Sequence, residues 1–246
     1  MEGRKIVVPG ETIVQGDDFL PGEGTRREGQ NILANRYGLA ETNAKLIRVI
    51  PVSGAYTPRR GNAIIGTVTN ITFRGWLIDY GGANEGFLSV AEVPRYVGKG
   101  ELRDCFDFGD VIFAQIWGAD GGNLDLSVKM REFGKLTGGQ LINVNPNKVP
   151  RIIGKEGSMI HLIKDATKCN ITVGQNGIVW LRADKIDDEI NARKIIDFIC
   201  DHSSIAGLTE KVEEFIKKEL KIEVKVRERR EESFDEKNQE NEGEKN

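Results

Sequence analysis

Two glycines are spaced so that the backbone of this chain could approach a ligand closely. Gly154 and Gly157 lie in the stretch 152–163, where Ile160 and Ile163 follow at helical spacing. Glycine permits close backbone approach, and the amides that begin a helix point outward with a partial positive charge. The stretch therefore predicts a turn that holds the sugar-phosphate backbone of a single-stranded nucleic acid. The alternative is that the glycines only close a turn between two helices.

Cationic and hydroxyl side chains surround these glycines and complete the predicted RNA-binding set. Lys148 and Arg151 precede them, Lys155 lies between them, and Ser158 follows. The whole chain is not basic, because 35 lysines and arginines face 38 aspartates and glutamates, for a formal net charge of −3. Binding would depend on these local cations, on backbone amides and on base stacking. We therefore expect a weak affinity for each single chain.

An acidic cluster supports a rival, catalytic interpretation. Asp184, Asp187, Asp188 and Glu189 could together hold Mg²⁺ for phosphodiester cleavage. The same carboxylates would instead cap a helix and complement its dipole, which the apolar stripe after them favours. The two histidines and three scattered cysteines have no nearby partners of the kind that mark a catalytic dyad or a metal site. We predict that the chain is not an enzyme and needs neither metal nor cofactor.

The glycine turn is embedded in the predicted order strand, helix, helix, strand, strand, helix. The first strand is expected at 140–144, a hairpin at 170–173 and 178–182, and the last helix from about Asp187. This order and the pattern I-I-G-x-x-G-x-x-I-x-x-I resemble the eukaryotic-type KH domain, whose loop clamps about four nucleotides. A simple turn would not require the flanking isoleucines.

Five short alternating runs with glycine-rich turns precede that region. They predict an antiparallel five-stranded OB barrel, with strands at 62–72, 75–80, 85–90, 109–116 and 124–129. The sequence G-x-V-x-x-I-x-x-x-G-W-L-I-D, followed by E-G-F-L, F-G-D-V and L-D-L-S-V-K, resembles the RNA-binding repeat of ribosomal protein S-one. The resemblance covers about seventy residues of the chain.

The barrel departs from that repeat family on its expected binding face. Members carry aromatic residues there for base stacking, whereas this chain has Arg74, with Phe73 just displaced. We predict both as RNA contacts, Arg74 through a phosphate or through its guanidinium plane. A solvated turn residue is the alternative for Arg74. Trp76 shares a strand face with Ile78, so we interpret it as core packing rather than a stacking platform.

The predicted fold class is multidomain, β and α+β, with four segments. Residues 1–58 form a small β-domain with apolar surface left for docking on a partner. Residues 59–135 form the OB barrel and residues 136–220 the KH domain. Residues 221–246 form a charged tail that has too few apolar residues to order itself.

This domain order resembles the RNA-binding cap subunits of the archaeal exosome, the family of ribosomal RNA-processing protein four. The opening V-x-P-G-E, the barrel sequence R-G-W-L-I-D and the later I-I-G-x-x-G all fit that family. The resemblance implies three copies on a ring of RNase-PH-like subunits that degrades RNA from its 3′ end. The chain would bind single-stranded RNA and guide it into that ring.

Two other functions remain open, a stand-alone RNA-binding transcription or translation factor and a metal-dependent nuclease. No run in the sequence approaches the length of about 20 apolar residues that spans a membrane. Scattered cysteines are typical of reduced core residues in the cytosol. We therefore expect a cytoplasmic protein without membrane contact.

Overall fold

The computed structural model describes residues 5–220 apart from residues 99, 121, 204 and 206, so the predicted charged tail at 221–246 lies outside the described part. Three groups of strands follow one another along these residues. No helix among them is long and apolar enough to cross a membrane.

The first group consists of seven short strands in two small sheets. The sheet orders are β1-β6-β7-β3 and β2-β5-β4. The strands are β1 (Lys5–Val7), β2 (Thr12–Gln15), β3 (Leu20–Pro21), β4 (Thr25–Glu28), β5 (Asn31–Ala34), β6 (Gly38–Asn43) and β7 (Leu46–Pro51). Their shared core is small and centres on Val7, Ala34, Ala40 and Val49.

Apolar side chains also cover the outward face of the first sheet. Ile6 pairs with Leu39, and Leu39 pairs with Ile50, so the three form a row across β1, β6 and β7. Leu20 pairs with Leu46 at the other edge of this sheet, and both are exposed. We call these five residues the N-terminal apolar face. The small core leaves this apolar surface uncovered.

Five strands close into a barrel. They are β8 (Ala63–Thr72), β9 (Gly75–Asp79), β10 (Gly86–Ser89), β11 (Val111–Asp120) and β12 (Asn123–Ser127). Strand β12 pairs in parallel with β10 and antiparallel with β11, which closes the circle. The predicted five-stranded barrel is confirmed, although its pairing of β10 with β12 is parallel rather than antiparallel as expected. A short helix α1 (Leu102–Cys105) precedes β11. A sixth strand, β13 (Gly134–Leu136), pairs with β11.

Trp76 belongs to the core of this barrel. Its side chain is completely buried, and its indole Nε1 donates a hydrogen bond to the carbonyl of Phe106 at 2.8 Å. The two rings meet edge to face, with 5.2 Å between their centroids. The core interpretation is confirmed, and Trp76 is not available for stacking on a base.

The third group has the predicted KH order. Its sheet runs β14-β16-β15, with β14 (Gln140–Asn143), β15 (Asn170–Val173) and β16 (Ile178–Arg182). Three helices share one core with it, α2 (Val149–Ile153), α3 (Ser158–Thr167) and α4 (Ile186–Asp201). An additional helix α5 (Leu208–Phe215), followed by a π-helical turn at Ile216–Leu220, buries Leu208 and Val212 in this core.

The turn between β15 and β16 fastens the KH sheet to the barrel. Asn176 is only 7% exposed, and its amide nitrogen donates to the carbonyls of Ile65 and Tyr80, each at 2.8 Å. Its oxygen accepts a hydrogen bond from the amide of Ile65 at 3.2 Å. Next to it, the amide of Gln175 donates to the carbonyl of Ala63 at 2.8 Å. These bonds hold the barrel and the KH sheet in one orientation.

Candidate nucleic-acid interface

The glycine turn joins α2 to α3 through backbone conformations that favour glycine. Gly154 and Gly157 have φ angles of 76° and 79°, and Glu156 between them has 53°. A Cβ at Gly154 would lie 2.7 Å from the backbone nitrogen of Met159, so no side chain fits there. At Gly157 the nearest atom would be 3.5 Å away, and the positive φ alone favours glycine. The turn thus requires glycine at 154 and favours it at 157, with or without bound RNA.

Four of the predicted RNA-binding residues meet beside this turn. Arg151, Gly154, Lys155 and Ser158 line one cleft of about 560 Å³, which we call the loop cleft. The N-cap residue Gly157 has no side chain to cap the amides that begin α3, although the amide of Ser158 donates to the carbonyl of Lys155. Two cations face one acidic lining residue, Glu210. The cleft therefore offers amide donors and positive charge, as phosphate oxygens require.

The other two residues of that predicted set do not line the loop cleft. Gly157 belongs to the turn itself, and a Cβ there would face His161. Lys148 is half-buried at the end of a 3₁₀ turn, Pro146–Lys148. Burial raises the pKa of the Cys200 thiol, and the nearby charge of Lys148 opposes that shift. Lys148 thus lies near Cys200 of α4 and outside the loop cleft, and its RNA contact stays a prediction.

Phe73 and Arg74 lie in the turn between β8 and β9 and line a second groove of about 640 Å³, the barrel groove. Arg95 and Tyr96 line it as well. The rings of Phe73 and Tyr96 are 86% and 92% exposed. No acidic side chain is among the described residues that line it. Exposed rings beside cations are the groups that stack on bases and pair with phosphates in single-strand binding.

Sequence reasoning missed Arg95 and Tyr96. They lie in the connection after β10, where no alternation or repeat draws attention to any residue. A hydrogen bond of 3.2 Å from Arg95 Nη2 to the carbonyl of Asp104 fixes that arginine at the edge of the groove. The only signal in the sequence is a cation directly before an aromatic ring.

A third cavity, the interdomain cleft, lies on the other side of the glycine turn. It has a volume of about 810 Å³ and is bordered by Gly154 and Asn147 of the KH domain and by Arg36 and Tyr37 of the N-terminal strands. Residues of the linker to the barrel, including Tyr56, complete it. Gly154 thus borders both the loop cleft and the interdomain cleft.

The acidic cluster lies at the start of α4. Asp187, Asp188 and Glu189 occupy the first turn of that helix. Glu189 accepts hydrogen bonds from Nε2 of Gln140 at 2.8 Å and from the amide of Ala183 at 2.9 Å. Across the described part of the chain, no three His, Cys, Asp or Glu side chains form a cluster that could hold a metal ion. Glu189 thus has structural partners, and the three carboxylates lie where they complement the dipole of α4, although the N-cap residue Lys185 makes no side-chain cap hydrogen bond.

The sequence is similar to known proteins over most of its length. A family model for the KH domain matches residues 139–187, which include the glycine turn. Exosome complex component Rrp4 of Methanothermus fervidus is 38% identical over 215 residues, which cover 87% of this chain and 95% of that protein. Rrp4 of Thermococcus kodakarensis is 39% identical over 224 residues, which cover 89% of this chain and 87% of that protein. Rrp4 of Methanobrevibacter smithii is 39% identical over 213 residues, covering 86% and 70%.

A solved structure shares the fold. It is a crystal structure provisionally assigned as an exosome complex RNA-binding protein, and it matches with a TM-score of 0.60 at 27% identity. The match covers 68% of this chain and 98% of that one.

Proposed function

Because the chain belongs to the family of the exosome complex component Rrp4, we propose that it is a non-catalytic RNA-binding cap of an exosome in the cytoplasm. It binds single-stranded RNA and guides it into a ring of RNase-PH-like subunits, which degrades or processes RNA from the 3′ end. The observation that carries this proposal is the glycine turn, which opens on a cleft with Arg151 and Lys155 in a chain of this family.

The two RNA sites supply complementary chemistry. The loop cleft offers backbone amides and two cations, which bind phosphates without reading the base. The barrel groove offers exposed rings and arginines, which stack on bases of any identity. A subunit that must accept many different RNAs requires such sequence-tolerant contacts. Three copies around one ring would also raise the apparent affinity, because one RNA could engage several weak sites.

The N-terminal apolar face is the surface that we assign to ring docking. Its row of Ile6, Leu39 and Ile50 lies on the solvent side of a sheet whose own core is small. One ion pair borders the row, since Arg48 Nε donates to Glu41 Oε2 at 2.8 Å. An apolar centre with a polar edge is the usual composition of a protein–protein interface.

Co-purification tests the docking. The full chain should co-elute with the ring subunits of its own organism, and deleting residues 1–53 should abolish this. The double variant Ile6→Asp/Ile50→Asp should also lose the ring, whereas Leu141→Asp, at an exposed position on the KH sheet, should keep it. Co-elution of the double variant would place docking elsewhere. Failure of the unchanged chain to bind the ring would contradict the proposed function.

Two further measurements separate this function from its alternatives. A stand-alone RNA-binding factor should bind long single-stranded RNA equally well alone and in the complex, whereas a cap should bind more tightly when assembled. A nuclease should shorten labelled RNA in the presence of Mg²⁺, whereas the purified cap should leave the RNA intact.

A further inference from the structure

The interdomain cleft brings residues of the N-terminal strands to the KH glycine turn. Arg36 and Tyr37 lie between β5 and β6 and share the cleft with Gly154 and Asn147. Its volume of about 810 Å³ falls within the range of about 300–1,000 Å³ that ligand sites have. The cleft is therefore large enough to hold part of a polymer that passes the turn.

Arg36 is the cation in this cleft that is available to a ligand. The other arginine, Arg59, is held in an ion pair by Glu23, the one acidic residue of the described lining. Arg36 is exposed and pairs with no acidic side chain among the residues described. Its guanidinium can thus pair with a phosphate without first breaking a bond inside the protein.

Tyr37 is likewise the available aromatic ring. The other tyrosine, Tyr56, donates its hydroxyl hydrogen to Oδ1 of Asn62 at 2.9 Å and meets Tyr80 edge to face. Burial also raises the pKa of Tyr56, which keeps its hydroxyl neutral. Tyr37 remains 45% exposed, and no aromatic partner contacts it within the described part of the chain. An exposed ring beside a cation can stack on a base.

The two clefts meet at Gly154, which borders both of them. A KH loop clamps about four nucleotides, so a longer strand must continue over a neighbouring surface. On one side of the turn that surface is the interdomain cleft. A strand can therefore pass from the loop cleft into it without leaving the protein.

We propose that the interdomain cleft binds the nucleotides that adjoin those held by the glycine turn, with Arg36 on a phosphate and Tyr37 stacked on a base. The ligand is single-stranded RNA without sequence preference, because neither contact reads a base edge. This inference rests on the proposed function, and it makes the N-terminal strands part of the RNA site in addition to their docking role.

Fluorescence anisotropy with the full chain and a labelled 12-nucleotide oligoadenylate at fixed salt tests the inference. Arg36→Ala and Tyr37→Ala should each weaken binding about fivefold to tenfold. Tyr37→Phe keeps the ring and should stay within about twofold of the unchanged chain. Arg26→Ala is the matched control, because Arg26 is an exposed arginine of the same strands outside the cleft. Circular dichroism should show that all four variants fold.

Gly157→Asp separates failure of this inference from failure of the proposed function. If Gly157→Asp weakens binding but Arg36→Ala and Tyr37→Ala do not, the interdomain cleft binds no RNA and the proposed function stands. If none of the three changes affinity, both fail. If the Arg36 and Tyr37 variants no longer co-elute with the ring but bind RNA on their own as tightly as the unchanged chain does, the cleft is a docking surface. That result would overturn the inference.

Discussion

The two RNA sites that we propose, the glycine turn and the barrel groove, differ in kind. The turn presents backbone amides at the start of α3, with Arg151 and Lys155 beside them. The barrel groove presents the rings of Phe73 and Tyr96 next to Arg74, from two loops that are distant in the sequence. A site built from backbone depends on a few residues that fix its conformation. A site built from side chains can gain or lose contacts one residue at a time.

Asn176→Ala should have the largest effect, because it breaks the link that keeps these two regions in one orientation. The variant leaves the amide and carbonyl of Ile65 and the carbonyl of Tyr80 without their bonds to Asn176. We expect the free energy of unfolding to fall by about 2–4 kcal/mol, since an unpaired buried polar group costs about 1–3 kcal/mol. Urea denaturation of the full chain measures it.

Gln175→Ala is the matched control for that loss. It removes one side-chain bond of 3.2 Å, to the amide of Ala63, and keeps the backbone bond of the same residue. The loss in the free energy of unfolding should stay below about 1 kcal/mol. Equal urea midpoints for the two variants would mean that Asn176 does not carry the link.

Gly157→Asp should have the next largest effect and acts on the backbone site alone. A carboxylate in the turn repels phosphate, and we expect RNA affinity of the capped ring to fall at least about tenfold. Gly157→Asn is the control, because asparagine tolerates positive φ and is neutral. Its RNA affinity should remain within about threefold of that of the unchanged chain. Filter binding at fixed salt compares them. Unchanged affinity of the aspartate variant would make the turn purely structural.

Tyr96→Ala and Phe73→Ala should weaken RNA binding about fivefold each, since stacking contributes about 1–3 kcal/mol per base and these rings lie at an exposed rim. Tyr96→Phe keeps the ring and should bind like the unchanged chain. Titration of labelled oligoadenylate measures all three. If Tyr96→Phe loses as much as Tyr96→Ala, the hydroxyl rather than the ring makes the contact, and the barrel groove does not act by stacking.

Lys155→Gln should have the smallest effect on affinity and a clear effect on its salt dependence. One phosphate contact to single-stranded nucleic acid contributes about 0.7 to the slope of log affinity against log salt. The variant should lower the magnitude of the slope by about that amount. Lys168→Gln, at the other end of α3, should leave it unchanged. A slope equal to that of the unchanged chain would exclude a phosphate contact by Lys155.

The strands and helices that sequence reasoning predicted well are those with a regular apolar period. Strands β15 and β16 occupy 170–173 and 178–182, as predicted, because their short apolar runs and the glycine turn between them are local signals. Helix α5 was not predicted, although Leu208, Val212 and Phe215 recur at helical spacing. A local signal for it was therefore present in the sequence and was missed.

The residues of the candidate sites also differ in whether a local sequence pattern pointed to them. Arg151, Lys155 and Ser158 are close to the glycines in sequence and also line the loop cleft with Gly154. Lys148 is equally close in sequence but ends the 3₁₀ turn Pro146–Lys148 and does not line the loop cleft. Tyr96 had no sequence signal beyond the cation that precedes it.

The sequence alone determined the glycine turn, the barrel strands and the order of the KH elements, because backbone conformation and apolar period depend on near neighbours. The tertiary structure decided which distant side chains share a cleft. Tyr96 shares the barrel groove with Phe73 because the end of β10 pairs with the start of β9, and Tyr37 shares the interdomain cleft with Gly154 only where the N-terminal strands meet the KH domain. Such long-range placement depends on contacts like those of Asn176, which join segments about a hundred residues apart and leave no local pattern.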